Sequence, residues 1–149
     1  MGKVTSSIEI EASPEKVFDF VASEKMNNLI REFVAGKWTS AGSVGVGSIA
    51  HYVGVNERNK GEEWNAEVTE FVKNNKLTMH LTGTNTRSND QTNYYVFEPT
   101  TKGTRLTISS EYKMPYSILG KLIDLLVVKR MVEKTGIKML DDLKKALET

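Results

Sequence analysis

The sequence predicts an α+β fold in which a curved antiparallel sheet of about seven strands is paired with one long C-terminal helix. Residues 4–10 and most of 34–112 alternate apolar and polar side chains with a period of two, the signature of half-buried strands. Clusters of Gly, Asn, Ser and Thr interrupt the second stretch at short intervals, which suits successive antiparallel neighbours. After Pro115 the apolar period becomes helical and stays so to the end of the chain.

The elements follow in order. In "VTSSIEIEAS", Val4, Ser6, Ile8 and Ile10 share one face and Glu9 and Glu11 the other, giving a first strand. "SPEK" ends it and starts a helix, with Ser13 as N-cap and Pro14 at the first helical position. Val17, Phe18 and Val21 mark the apolar face of that short helix. A second short helix is expected through "EKMNNLIRE", capped by Ser23, with Met26, Leu29 and Ile30 buried. Six strands are then suggested by "AGKWTSA", "SIAHYVGV", "EEWNAEVTEFV", "KLTMHLTG", "QTNYYVFEP" and "TRLTISSEYKM". The final helix carries Leu119, Leu122, Leu126, Ile137, Leu140, Leu143 and Leu147 at near-helical spacing, with Gly136 as a point of possible disturbance. No linker, repeat or low-complexity segment divides residues 1–149, so one domain is expected.

Gly42, Gly45 and Gly47 in "SAGSVGVGSIAHYVG" pose the question of a phosphate-binding loop. Such a loop must follow a strand and open a helix, so that the helix N-terminus faces the phosphates. Here the glycines precede the strand-like "SIAHYVGV", so they read as a tight turn between strands.

Composition narrows the function classes. The 20 basic and 19 acidic residues leave a net charge of +1 with no basic block or stripe, which argues against nucleic acid as a partner. There is no cysteine, so disulfides, thiolate metal sites and a cysteine nucleophile are excluded. The only histidines are His51 and His80, and their parities put His80 on the outer face, so no metal site and no other cofactor is expected. "ILGKLIDLLVV" is broken by Lys121 and Asp124 and is too short to span a bilayer, so stable membrane insertion is not expected. With no basic start followed by an apolar run, a cytoplasmic location is expected.

Local motifs add a resemblance. "SIEIEASPEKVFDFVAS", "GSVGVGS", "YYVFEPTTKGTRLTIS" and "LDDLKKALE" occur in the order strand and helices, hairpin, hairpin, long helix. The chain resembles the START-like (SRPBCC) superfamily of helix-grip proteins, and within it the polyketide cyclase/dehydrase and lipid-transport group. The resemblance implies a sheet gripping the long helix over its concave face, with a ligand cavity between them. Relatives often carry a tryptophan just after the second short helix, where this chain has "LIREF" with Phe33.

Strand parity then selects candidate binding residues. If Ile49 and Val53 face the helix, so do Gly47, His51 and Val55. The next strands place Trp64, Ala66 and Val68, then Leu77, Met79 and Leu81, on the same face. The last two contribute Asn93, Tyr95 and Phe97, with Leu106, Ile108, Ser110 and Tyr112; Tyr94 is the alternative to Tyr95. Gly47, Ala66, Asn93 and Ser110 are small or polar for core positions, which suggests space left open. From the helix, Leu122 and Leu126 complete the expected binding set.

The expected function is binding of a small hydrophobic or amphipathic ligand, by a monomer or homodimer. His51, Tyr95, Ser110 and Tyr112 would orient it. A polyketide cyclase/dehydratase-type enzyme is the alternative, with His51 as acid or base and tyrosines as enolate donors. His51 could equally be a hydrogen-bonded wall residue without a chemical role. A co-chaperone-like protein-interaction module is a third reading. Arg130 could anchor an anionic ligand group if buried, or form an exposed intrahelical pair with Glu133.

Overall fold

The computed structural model describes residues 2–30, 34–55, 60–84, 90–112 and 122–148, without the side chains of 122–128. Its elements are β1 (Gly2–Ile10), α1 (Pro14–Val21), α2 (Glu24–Leu29), β2 (Val34–Trp38), β3 (Ile49–Gly54), β4 (Glu63–Val72), β5 (Lys76–Gly83), β6 (Asp90–Pro99), β7 (Thr104–Tyr112) and α3 (Leu122–Glu148). The strands form one antiparallel sheet in the order β1-β7-β6-β5-β4-β3-β2. This is the order expected for a helix-grip fold. The chain returns after the two short helices to build a meander from β2 to β7, and β1 closes the far edge against β7.

Both short helices start as expected. The Ser13 hydroxyl accepts from the Lys16 N–H at 3.3 Å, with Pro14 following. Ser23 accepts from the Lys25 N–H at 3.2 Å. The second helix stops at Leu29, earlier than its apolar pattern suggested, and buries Asn27 beside Met26. Asn27 is held by its bonds: its Oδ1 accepts from the Tyr52 hydroxyl at 2.8 Å and its Nδ2 donates to Glu24 at 3.1 Å. The other Glu24 oxygen accepts from the Trp38 N–H at 2.7 Å, tying α2 to β2.

The core sits between the sheet and the helices. Phe18 is 1% exposed and meets Phe71 and Phe97 edge-on, at 5.2 and 5.0 Å between ring centroids. Fully burying side chains of this kind stabilises a fold by about 1.5–3 kcal/mol each. Phe71 reaches this cluster through an irregularity in pairing between Val68 and Glu70, which shifts the register of β4 against β5. Leu140, Leu143 and Leu147 seal the C-terminal half of α3 against the core. Lys144 Nζ donates to the Glu9 carbonyl at 2.9 Å, and Glu148 accepts from the Glu11 N–H at 2.8 Å. The hydrogen bond from Lys144 and that from the Glu11 N–H hold the Glu148 carboxyl below its ordinary pKa. α3 runs unbroken through Gly136, and Ile137, expected in the buried stripe, is 54% exposed. Leu140 and Leu143 already define the buried face, and Ile137 turns away from it. Leu119 lies outside the described residues.

The glycine turn is a turn. Gly47 has φ +93° and donates its N–H to Val68, while the Gly45 N–H donates to the Ser48 hydroxyl at 3.0 Å. Amides already committed to strand pairing cannot cradle a phosphate.

Glycines matter differently at the two sheet edges. Gly36 on β2 pairs with Tyr52, and Gly2 on β1 pairs with Tyr112. In each case the tyrosine ring lies where a Cβ would stand. Each edge glycine lets an aromatic ring from the neighbouring strand lie flat across it.

Candidate functional site

A cavity of about 430 Å³ opens between the inner sheet face and α3. β4 and β5 supply an apolar floor of Trp64, Ala66, Met79 and Leu81. Ile30 and Val34 contribute from the α2–β2 side, and α3 covers the space with Met131, Val132, Thr135 and Met139. Tyr52 stacks on Trp64 at 6.3 Å and 21°, with its hydroxyl turned to Asn27. These groups give the apolar lining and adaptable methionines typical of ligand sites.

The adjoining part of the sheet face is polar and belongs to β6 and β7. Gln91 pairs with Tyr112, Asn93 with Ser110, and Tyr95 with Ile108, all facing the cavity. Asn93 Oδ1 accepts from Gln91 Nε2 at 2.8 Å and from the Ser110 hydroxyl at 2.9 Å. Glu62 and Asp90 also touch the space.

Burial raises the Tyr95 phenol to about 12 and lifts Tyr112 as well. It lifts Tyr52 further, reinforced by Tyr95 and Glu24. All three tyrosines are therefore neutral hydroxyl donors at physiological pH. Tyr95 stays protonated in the fold where the unfolded chain ionises, so its contribution is intact below pH 10 and is lost between about pH 10 and 12. We expect about 3 kcal/mol of stability to disappear over that interval from this group. Urea denaturation at stepped alkaline pH checks this: Tyr95→Phe should flatten the decline, and an unchanged decline would contradict it.

The structure places Trp64, Ala66, Met79, Leu81, Tyr95, Ile108, Ser110 and Tyr112 around the cavity. It does not bring the other candidates there. His51 and Val53 lie on the outer face, because Ala50, Tyr52 and Gly54 are the buried residues of β3. The strand has apolar side chains on both parities, and the Tyr52 ring, with its stacking and its Asn27 bond, decides which face turns in. Gly47 sits in the preceding turn, and Val55 is 45% exposed. Phe97 faces inward but is sealed against Phe18 at the closed end, away from the cavity. The side chains of Leu122 and Leu126 lie outside the described residues, as does Phe33. Arg130 and Glu133 are exposed.

On the outer face, His51 bridges Asn65 at 2.8 Å through Nδ1 and Glu63 at 3.1 Å through Nε2. The Asn65 bond, then the Glu63 bond, raises its pKa against the opposing effect of burial. Any stability it contributes is full below its unfolded pKa near 6.5 and fades as pH rises through the higher folded value. His80, also outward, pairs with Asp90 at 2.8 Å.

Tyr52, Gln91 and the helix residues Met131, Thr135 and Met139 were missed as wall residues. For Tyr52 a signal existed in the "HYVG" parity; for the helix residues the exposed and cavity-facing positions look alike in sequence. Among the described residues no helix is long and apolar enough to cross a membrane, and no three His, Asp or Glu side chains gather as a metal site.

Comparison with solved structures finds the same architecture at low sequence identity. A Thermus thermophilus protein, TTHA0849, superposes with a TM-score of 0.79 at 21% identity, covering 98% of this chain and 97% of that one. Ara h 8.0201 superposes at 0.73 with 10% identity, over 98% and 97% of the two chains. The Aha1 dimer from Colwellia psychrerythraea gives 0.68 at 20% identity, over 99% and 97%. No curated protein matches in sequence. The family described as polyketide cyclase / dehydrase and lipid transport matches residues 1–148. With the sheet, the helix and the cavity in place, the chain belongs to that family, within the START-like (SRPBCC) helix-grip superfamily.

Proposed function

We propose that the protein binds a small hydrophobic or amphipathic molecule in the cavity between the sheet and α3. One observation carries the reading: a space of about 430 Å³ stays open among Trp64, Met79, Leu81 and Ile108 while the other end of the same fold is tightly packed. Its size falls in the range of small-molecule sites, on the order of 300–1,000 Å³. Burial against the apolar floor supplies affinity, and Tyr95 and Tyr112 orient the ligand.

The cyclase/dehydratase alternative loses its intended acid or base, since His51 lies on the outer face and pairs with Asn65 and Glu63. Binding is therefore the reading we favour. Native mass spectrometry of protein purified from its own host tests it and reads monomer or homodimer in the same spectrum. We expect a stoichiometric small molecule, identified after denaturation, or saturable uptake of the neutral fluorescent ketone prodan by the apo protein. An apo mass together with no prodan uptake would overturn the proposal.

A further inference from the structure

The polar wall of the cavity has a direction, and it specifies which end of a ligand it meets. Asn93 Oδ1 already accepts two hydrogen bonds, one from Gln91 Nε2 and one from the Ser110 hydroxyl. With the amide oxygen taking both of these bonds, its NH2 is turned away from Gln91 and Ser110. Both N–H bonds of the Asn93 amide are left without a partner among the described residues.

Tyr95 adds a second donor two residues along the same strand face. It is 7% exposed, and no described group accepts from or donates to its hydroxyl. The buried, unpartnered side-chain polar atoms among the described residues are Trp38 Nε1 and Asn74 Oδ1. Neither Asn93 Nδ2 nor Tyr95 Oη is among them, so both reach open space, and both residues line the cavity. Desolvation keeps the Tyr95 phenol protonated, so this hydroxyl has a hydrogen to give. On the same sheet face the donors adjoin an apolar surface, with Met79 beside Asn93, Leu81 beside Gln91 and the Trp64 ring beyond them on β4.

We propose that Asn93, oriented by Gln91 and Ser110, acts with Tyr95 as a donor pair for an uncharged carbonyl oxygen, so that the ligand class is a neutral ketone, ester or amide with an apolar body lying on Trp64 and Met79. This rests on the cavity-binding reading and names the ligand chemistry within it. The donors are neutral dipoles and the described lining carries no Lys, Arg or His, which disfavours an anionic head. Gln91 and Ser110 are positioning residues.

Prodan is the probe, because its emission moves to longer wavelength when its carbonyl accepts a hydrogen bond. The full-length protein should bind prodan with emission to the red of that in a dry apolar solvent. Asn93→Leu and Tyr95→Phe should each shift that emission to the blue and weaken binding by roughly three- to ten-fold, the effect of one neutral hydrogen bond. Tyr95→Phe removes a hydroxyl with no partner in the ligand-free protein, so it folds even if Asn93→Leu does not. Binding with the same emission in wild type and Tyr95→Phe would overturn the donor pair and leave the cavity reading standing. No prodan binding by wild type would overturn both.

Discussion

Phe18→Ala is expected to lower the free energy of unfolding by roughly 3–5 kcal/mol. The ring is 1% exposed and sits where α1 meets the sheet, edge-on to Phe71 at 5.2 Å and to Phe97 at 5.0 Å. Removal forfeits the buried area and two aromatic contacts worth about 0.5–1.5 kcal/mol each beyond it. The void cannot close easily, because Phe97 is held by Leu106 of β7 on one side and by the Asn75 carbonyl on the other, and Phe71 is paired with Leu77 of β5. Phe18→Leu, which keeps most of the volume, should lose less than half as much. Urea denaturation measures both. A loss below about 1.5 kcal/mol for the alanine variant would show that α1 settles into the gap, and that the closed end is softer than its packing implies.

Gly36→Ala is the second large effect, at about 3–4 kcal/mol, although the change is one methyl group on an edge strand. The new Cβ would occupy the place of the Tyr52 ring. That ring cannot swing aside freely, since Trp64 stacks on it and its hydroxyl donates to Asn27 at 2.8 Å. Overpacking contributes about 1–3 kcal/mol, and a displaced hydroxyl leaves buried Asn27 short of a donor at about 1–3 kcal/mol more. A double-mutant cycle isolates the cause. In a Tyr52→Ala background the same Gly36→Ala change should be neutral or stabilising, because alanine is the better strand residue once the ring is gone. An equal loss in both backgrounds would place the cost in the β2 backbone instead of the ring.

Where one parity of a strand is apolar and the other polar, the sequence was enough to orient it. Leu77, Met79 and Leu81 on β5 and Leu106 and Ile108 on β7 turn inward as their alternation requires. β3 defeats that rule because Ile49 and Val53 compete with Ala50 and Tyr52. The contest is decided by partners that alternation cannot register: Gly36 across the ladder, Trp64 beside it and Asn27 from a helix. The same blindness affects β4. Strict alternation after Val68 would turn Glu70 inward and Phe71 outward, and the register shift reverses them, leaving Glu70 to accept from the Thr78 hydroxyl at 3.0 Å. For the site, the small and polar residues Ala66, Asn93 and Ser110 correctly marked where volume is left unfilled. The hydrogen-bond direction along Gln91, Asn93 and Ser110 depends on cross-strand register, which single strands do not carry.

The uneven attachment of α3 has a mechanical consequence. Its last turns are pinned by Leu140, Leu143 and Leu147, by Lys144 on Glu9 and by Glu148 on Glu11, whereas Met131 over the cavity is 37% exposed. Among the described residues of α3, the tightest attachment lies at the closed end. Met131 stands about 18 Å from Leu143 at 1.5 Å per residue, so a tilt of about 5° about that attachment changes the clearance at Met131 by about 1.5 Å. A tilt of that size would alter the headroom of the cavity by roughly the thickness of half a methyl group.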